Sequence, residues 1–135
     1  MKHFTAIPES TYEVIRQSTF TCSARPYFFV KAGGVGNPSQ HLAVLRDRLD
    51  TTVVTQDLTG VEVLGRNPDK WALISIVCAN PFYCVGFIAS IAQTFTQAGI
   101  DFCLMSAFTQ DLVFVKEAER DNAIRHLQDL GFKKE

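Results

Sequence analysis

The residues best suited to chemistry in this sequence lie in a loop that connects an apolar segment to a predicted helix. The loop reads Asn80-Pro81-Phe82-Tyr83-Cys84-Val85, and Gly86 follows it at the start of the helix. Backbone amides at a helix start, aided by the helix dipole, can bind a carboxylate, and a glycine allows close approach of a ligand to the backbone. The same glycine could instead serve only to let the helix pack against the strand. The loop is therefore a candidate binding site for a small ligand that carries a carboxylate.

Four polar or reactive side chains in and after this loop each have a functional and a structural interpretation. Asn80 could accept a hydrogen bond from a ligand ammonium group or form an Asx turn before Pro81. Asp111 could bind a cationic group or a metal, or fix the hairpin turn in which it lies, and Ser106 could contact a ligand or bond to a neighbouring strand. The helix start favours a thiolate at Cys84, but no histidine lies close in sequence to act as its base.

The sequence lacks the groups of residues that an enzyme or a metal site requires. No C-x-x-C pair occurs, and the cysteines and histidines are not spaced as metal ligands. No nucleophile–base pair, triad or acid–base cluster is present either, and Gly33–Gly36 fits neither the dinucleotide fingerprint nor the P-loop. The cysteines are Cys22, Cys78, Cys84 and Cys103, and the histidines are His3, His41 and His126. We expect reduced, buried thiols, no metal, no cofactor and no catalytic activity.

Composition and charge exclude further classes of protein. The 135 residues are 47% hydrophobic, which suits one ordinary domain or two very small ones. Thirteen Lys and Arg residues against fourteen Asp and Glu residues give a net charge of -1, so nucleic-acid binding is not expected. No apolar segment reaches the ~18 residues of a membrane helix, and the first ten residues lack the apolar core of a signal peptide. We therefore expect a cytoplasmic protein that does not bind membranes.

The second half of the chain carries the stronger structural signals. After a linker at Asn67-Pro68-Asp69, a strand buried on both faces is predicted, followed by an amphipathic helix, two strands joined by a tight turn, and a second helix. The predicted elements are Trp71–Cys78, Gly86–Ala98 ended by Gly99, Ile100–Ser106, Leu112–Val115, and a helix with Glu117 and Glu119 in its first turn that ends at Gly131. The order is βαββα, one strand short of the ferredoxin-like βαββαβ unit.

The first half gives weaker signals that loosely repeat this theme. The charged tail after Gly131 is too short to be a confident strand. A strand from the first half of the chain could therefore complete the sheet predicted for the second half. The predicted elements are a strand over Tyr12–Gln17, a strand over Tyr27–Ala32, a helix capped by Ser39 with Leu42, Leu45 and Leu49 on one face, a strand over Thr51–Gln56, and a short strand over Val61–Leu64.

Four short motifs in the second half carry a family resemblance. They are Trp71-Ala72-Leu73, Gly86, Ala98-Gly99-Ile100 and the hairpin from Met105 to Val115. On these residues the segment 71–131 resembles an ACT domain, in particular those of small tandem-ACT proteins and of the cytosolic arginine sensors. The resemblance implies an α+β, ferredoxin-like βαββαβ sandwich with two ACT-like units side by side. The units would be residues 1–66, in degenerate form, and residues 71–135, with one shared core.

The resemblance also implies a function and a set of binding residues. ACT domains commonly bind amino acids where the loop after the first strand meets a neighbouring unit. The chain is thus expected to be a non-catalytic regulatory module that binds a small ligand, an amino acid, at the Asn80–Ile88 loop within a homodimer. The candidate binding residues are Asn80, Phe82, Tyr83, Cys84, Val85, Gly86, Phe87, Ile88, Ser106 and Asp111.

A second interpretation is a structural or protein-interaction module that keeps the fold without the ligand. Three positions of the hairpin favour it, because Ala107, Thr109 and Leu112 each stand where the family motif has a more polar residue. Phe82 and Tyr83, which are expected to be exposed in the loop, could form a ligand wall or a dimer contact. A collapsed loop with Phe82 filling the pocket would favour this second interpretation.

Overall fold

The structure, a computed structural model, describes residues 6–135. By their contacts these residues group into two compact units, one formed by residues 6–22 and 73–135 and the other by residues 23–72. The elements in chain order are α1 (Glu9–Gln17), β1 (Thr19–Cys22), β2 (Phe28–Ala32), β3 (Ala43–Arg46), β4 (Thr51–Thr55), β5 (Val63–Arg66), β6 (Trp71–Val77), α2 (Phe87–Gln97), β7 (Phe102–Ser106), β8 (Asp111–Lys116), α3 (Arg120–Leu130) and β9 (Lys133–Lys134).

The first unit is built on a five-stranded sheet with the strand order β7-β8-β6-β1-β9. The predicted α+β, ferredoxin-like fold is confirmed, and the strand missing from its sequence pattern comes from the first half of the chain. That strand is β1, which pairs antiparallel with β6 so that Thr19 lies opposite Val77 and Cys22 opposite Ile74. The charged tail also forms a strand, because Lys133 and Lys134 pair in parallel with β1.

The core of the first unit is apolar and closely packed. Its central strand, β6, is buried along most of its length, as predicted for a strand covered on both faces. Large side chains from β1, β6, α2, β8 and α3 are fully buried together, among them Phe20, Ile74, Phe95, Phe114 and Leu127. Removal of this apolar surface from water is the main term that stabilises the unit, and it fixes the ends of β6, β7 and β8 relative to one another.

The second unit is a four-stranded sheet with the strand order β3-β4-β2-β5. Val30, Ala32 and Val53 form its small buried core, with Phe28 and Leu58 among the half-buried residues packed against it. Across residues 23–72 the chain forms strands, turns and one short 3-10 turn, with no α-helix. The strands predicted over Tyr27–Ala32 and Thr51–Gln56 correspond to β2 and β4.

The strand predicted over Tyr12–Gln17 is wrong, because these residues belong to helix α1. Thr11 and Ile15 are the buried residues of this helix, and their spacing of four is that of one helix face rather than one strand face. Glu9 in the first turn and Arg16 in the last turn suit the helix dipole. The alternation of apolar and polar residues that suggested a strand spans too few residues to distinguish the period of a strand from that of a helix.

The helix predicted after Ser39 is also wrong, because this segment forms a 3-10 turn (Pro38–Gln40) and then strand β3. The side chain of Asn37, not Ser39, caps the turn, through a bond from the Ser39 amide. The Asp47 carboxylate then accepts bonds from the Leu49 and Asp50 amides, which turns the chain so that β3 pairs with β4. The leucines at helical spacing remain exposed or nearly so.

None of the helices within residues 6–135 combines the length and the apolar character that crossing a lipid bilayer would require.

Candidate functional site

A cavity of about 210 Å³ lies in the first unit, where the start of α2, the loop after β6 and the β7–β8 hairpin meet. Each of these elements contributes one wall, because β6 and β8 are neighbours in the sheet and α2 follows β6 directly. The lining residues are Cys78, Pro81, Phe82, Cys84, Phe87, Ile88, Ser106, Ala107, Phe108, Thr109, Gln110 and Asp111.

The cavity brings together six of the ten residues predicted from the sequence. These are Phe82, Cys84, Phe87, Ile88, Ser106 and Asp111. Three others, Asn80, Tyr83 and Val85, line a separate depression beside α1, to which Cys84 also contributes. Gly86 lines neither: a Cβ built there would lie 3.3 Å from Cγ2 of Ile7, so this glycine allows the helix start to pack against the N-terminal segment.

Six residues of the cavity wall were not predicted, and two signals in the sequence could have found most of them. Residues 107–110 form the hairpin turn between Ser106 and Asp111, so any site that uses both flanking residues must lie beside that turn. The turn is closed by a hydrogen bond from the Ala107 amide to the Gln110 carbonyl, N–O 2.8 Å. Pro81 lies within the predicted loop, and Cys78 precedes the loop on its strand side, so including every loop residue and extending the loop toward the strand would have found both.

The polar part of the cavity wall is a bonded pair of side chains. Ser106 and Asp111 lie opposite each other in the β7–β8 register. The Ser106 hydroxyl donates a hydrogen bond to the Asp111 carboxylate with an O–O distance of 2.8 Å. This bond leaves further lone pairs of the carboxylate available, because an ionised carboxylate has about four acceptor positions. The wall can therefore accept hydrogen bonds from a ligand ammonium or hydroxyl group.

The mouth of the cavity carries two exposed phenylalanines. Phe82 and Phe108 pack edge to face with ring centroids 5.5 Å apart, although 71% and 84% of their surfaces remain exposed. Phe82 has a φ of 69°, the left-handed region that side chains other than glycine rarely occupy. The loop holds Phe82 against Phe108 despite this backbone cost, which gives the entrance an apolar, aromatic rim.

Local hydrogen bonds determine the shape of the loop and of the helix start. The Thr11 hydroxyl donates to the Val85 carbonyl, and the Asn80 side-chain amide donates to the Tyr83 carbonyl at 3.4 Å. The Phe87 amide donates to the Cys84 carbonyl at 3.2 Å, so it already has a partner within the loop. The Phe87 amide is therefore engaged within the loop, whereas a carboxylate bound at the helix start remains a prediction.

Two of the four cysteines, Cys78 and Cys84, line the cavity. Cys78 is buried, and Cys84 is half-buried in the loop. Burial raises the pKa of the Cys78 thiol; a hydrogen bond from the Asn80 backbone amide to this sulfur acts in the opposite direction, and the neighbouring Cys84 and Asp111 raise the pKa further. The expectation of buried thiols is correct for Cys78 but wrong for Cys103, which is exposed, while Cys22 is half-buried.

The described residues offer no ready metal site. Within residues 6–135, no three His, Cys, Asp or Glu side chains are grouped so that they could hold a metal ion. His41 contacts the Thr55 hydroxyl and the Val35 carbonyl through its two ring nitrogens, and it is therefore part of the second unit's hydrogen bonding. His3 lies outside the described residues. The chemistry available at the cavity is hydrogen bonding to a carboxylate beside an apolar rim.

Comparison with known proteins gives one family match. The model of the ACT domain family matches residues 66–129, a range that includes β6, the loop, α2 and the β7–β8 hairpin. A search of the curated proteins found no match for the chain.

Solved structures with the same fold include proteins with and without an assigned role. A Vibrio cholerae protein of unknown function, described as a possible transport protein, superposes with a TM-score of 0.75 and 19% identity over 91% of this chain and 97% of that one. An Agrobacterium tumefaciens protein gives a TM-score of 0.66 and 17% identity over 87% and 92% of the two chains. The regulatory subunit of aspartate kinase from Thermus thermophilus gives a TM-score of 0.56 and 13% identity over 82% and 95%. At these identities the likeness shows the fold alone.

Proposed function

Because the chain carries an ACT domain over residues 66–129, we propose that the protein is a regulatory module that binds a small ligand, an amino acid, in the cavity beside the Asn80–Ile88 loop. It acts by binding and not by catalysis, and the ligand changes its interaction with a partner protein. The fold shared with the regulatory subunit of an aspartate kinase supports a regulatory role.

The observation that carries this proposal is the bonded Ser106–Asp111 pair in the wall of a small cavity. The Asp111 carboxylate is a suitable acceptor for the ligand's ammonium group, since hydrogen bonds between ionised partners are the strong ones. A volume of about 210 Å³ corresponds to about seven waters, which matches a small amino acid better than a nucleotide or another large ligand.

The start of α2 is the place that we propose for the ligand carboxylate. Ile88 is the second residue of α2 and lines the cavity, and the first amides of a helix have no partners within the helix. The helix dipole favours a negative charge at this position. An amino acid bound with its ammonium group at Asp111 and its carboxylate near the Ile88 amide would use both polar sides of the cavity, with its side chain toward the rim.

The proposal is tested by measuring thermal unfolding in the presence of each of the twenty amino acids at millimolar concentration. A ligand that binds only the folded state raises the midpoint, by an amount that grows with its concentration relative to Kd. We expect a concentration-dependent rise for one amino acid or for a few of similar chemistry. If no amino acid moves the midpoint, the free-amino-acid version of the proposal is wrong.

We also propose that the protein forms a homodimer, and that the aromatic side chains near the cavity take part in it. Phe82, Tyr83, Val85 and Phe108 are 71–84% exposed, and exposed aromatic clusters are typical of interaction sites. This surface also favours the second candidate function, a protein-interaction module that binds no ligand. An interaction module would self-associate or capture a protein partner without any response to amino acids.

Sedimentation velocity distinguishes these alternatives. We expect a dimer that dissociates more readily in the Tyr83→Ala, Phe108→Ala double variant than in Leu49→Ala, a control whose side chain is 74% exposed in the second unit. A dimer that no amino acid stabilises would favour the interaction module over the sensor.

A further inference from the structure

Cys78 and Cys84 form a pair of thiols that the proposed ligand-binding function does not use. Cys78 directly follows β6 and is 7% exposed, whereas Cys84 lies in the half-exposed loop. Both line the same cavity. The neighbouring Cys84 side chain is one of the groups that raise the pKa of Cys78, after burial, which is the largest cause. The two thiols therefore belong to one site in the reduced protein.

The surroundings of Cys78 act on its thiol in two opposite directions. Burial raises the pKa of this thiol, and a hydrogen bond from the Asn80 backbone amide to the sulfur offsets part of that effect. Asn80 and the following residues up to Tyr83 are exposed, so the segment between the two cysteines borders solvent and is not fixed in the core.

We propose that Cys78 and Cys84 are an oxidisable pair that closes to a disulfide when the protein meets a peroxide. In the first step the Cys84 thiolate, the more accessible of the two, attacks one oxygen of hydrogen peroxide and breaks the O–O bond. This gives a Cys84 sulfenic acid and releases hydroxide. In the second step the Cys78 thiolate attacks the Cys84 sulfur, the S–S bond forms and hydroxide leaves as water. Two thiols lose two hydrogens in total, and one peroxide becomes two waters.

The bridge would alter the cavity as well as the cysteines. It would join the end of β6 to the loop and enclose the residues between Cys78 and Cys84 in a ring. The two sulfur atoms would be joined by a bond of about 2.05 Å, which would hold the loop to the end of β6. The inference goes beyond the proposed ligand-binding function and does not depend on it, because the disulfide can form in the absence of any ligand.

The experiment treats fully reduced, dilute protein with one equivalent of hydrogen peroxide, blocks the remaining thiols with an alkylating agent, and maps the product by mass spectrometry. Trypsin is unsuitable, since no lysine or arginine lies between Lys70 and Lys116. Chymotrypsin cleaves after Phe82 or Tyr83, so a Cys78–Cys84 bridge holds two fragments together until a reductant is added. Cys84→Ser and Cys103→Ser are the matched variants.

We expect the linked fragments in the wild type and in Cys103→Ser, and their complete loss in Cys84→Ser. Cys84→Ser changes a half-exposed loop residue, and its thermal unfolding checks that the fold is intact. If that variant fails to fold, the linked fragments in the wild type and in Cys103→Ser decide the matter. Separate fragments with both thiols alkylated would overturn the proposal. A Cys84 sulfinic acid, or a bridge from Cys84 to Cys103 or to a second chain, would overturn it as well.

Discussion

Ser106 and Asp111 face each other across the last residue pair of the β7–β8 hairpin, and the Ser106 hydroxyl donates to the Asp111 carboxylate at 2.8 Å. The hairpin register and the hydrogen bond thus hold the carboxylate at the wall of the cavity. This relationship gives the site its charge and one fixed orientation for that charge. The hydroxyl is a positioning group, and the carboxylate is the group proposed to touch the ligand.

The first prediction concerns this hydroxyl. For an amino acid that binds, Ser106→Ala should weaken binding by about threefold to tenfold, because a hydrogen bond contributes about 0.5–1.5 kcal/mol. Ser106→Thr keeps the hydroxyl and should restore most of the affinity. Calorimetric titration of the three proteins measures the effect. Equal affinities of the alanine and threonine variants would contradict the positioning role.

The second prediction concerns the strand that completes the sheet. Phe20 in β1 is fully buried, whereas Phe108 in the hairpin turn is 84% exposed. Phe20→Ala should lower the free energy of unfolding by about 3–5 kcal/mol through the lost burial and the cavity left behind. Phe108→Ala should change it by less than about 0.5 kcal/mol. Urea unfolding measures both, and similar small effects would show that β1 is not part of the folded sheet.

The third prediction concerns the start and the end of α2. Gly86 and Gly99 have φ values of 85° and 71°, a region that costs other residues about 1–2 kcal/mol. A Cβ added at Gly99 would have no neighbouring atom within 4 Å, so Gly99→Ala should show this conformational cost alone. Gly86→Ala also places its Cβ 3.3 Å from Ile7 and should cost more.

Gly34→Ala serves as the control for this pair, because Gly34 lacks a positive φ and a Cβ there would lie 3.9 Å or more from its neighbours. Thermal unfolding should rank the variants as Gly34→Ala, then Gly99→Ala, then Gly86→Ala in increasing loss of stability. A Gly86→Ala variant as stable as Gly34→Ala would mean that the helix start differs from the one described.

The fourth prediction concerns acid stability. Hydrogen bonds from the Asp50 and Leu49 amides hold the pKa of the Asp47 carboxyl below its ordinary value of 3.8. A carboxyl whose pKa is lower in the folded state stabilises the fold above its unfolded pKa, and this contribution is lost as pH falls through the folded pKa. The Tm difference between wild type and Asp47→Ala should therefore shrink from about pH 6 to about pH 2.

Asp101→Ala is the control for the acid experiment. Its carboxylate is 82% exposed and forms only a surface ion pair with Lys116, N–O 3.6 Å, which contributes little to stability. Its Tm should follow the wild type across the whole range. A constant difference between wild type and Asp47→Ala at every pH would contradict the role given to the Asp47 turn.

The fold of the second half could be predicted from the sequence because its elements are long and regular. The apolar run of β6 is short and is bounded by Asn67-Pro68-Asp69 and Asn80-Pro81, which favours a buried strand, and the spacing of Phe87, Ile91 and Phe95 is that of one helix face. The predictions for the first half of the chain were wrong where the sequence patterns were short. Three leucines near Ser39 fit a helix, but the Asp47 turn and the β-branched strand β4 favour a hairpin, and that pairing partner cannot be seen in a local pattern.

The candidate site was predicted in part, for a similar reason. The loop and the flanking residues Ser106 and Asp111 have recognisable chemistry, so they could be selected individually. That Ser106 and Asp111 bond to each other depends on the hairpin register, and that Cys78 and Cys84 line one cavity depends on how the loop returns toward β6. Both arrangements arise from the three-dimensional path of the chain, which residue type and spacing do not specify.

The central claim is that an amino acid binds in the cavity through the Asp111 carboxylate, and calorimetric titration of three proteins tests it most directly. These are the wild type, Asp111→Asn, and the control Asp101→Asn, which changes an exposed carboxylate outside the cavity. We predict binding to the wild type and to Asp101→Asn with the same Kd. Asp111→Asn should bind at least about tenfold more weakly, since it loses a charge-assisted hydrogen bond of about 1.5–3 kcal/mol. No heat from any amino acid with the wild type, or an affinity that Asp111→Asn leaves unchanged, would contradict the claim.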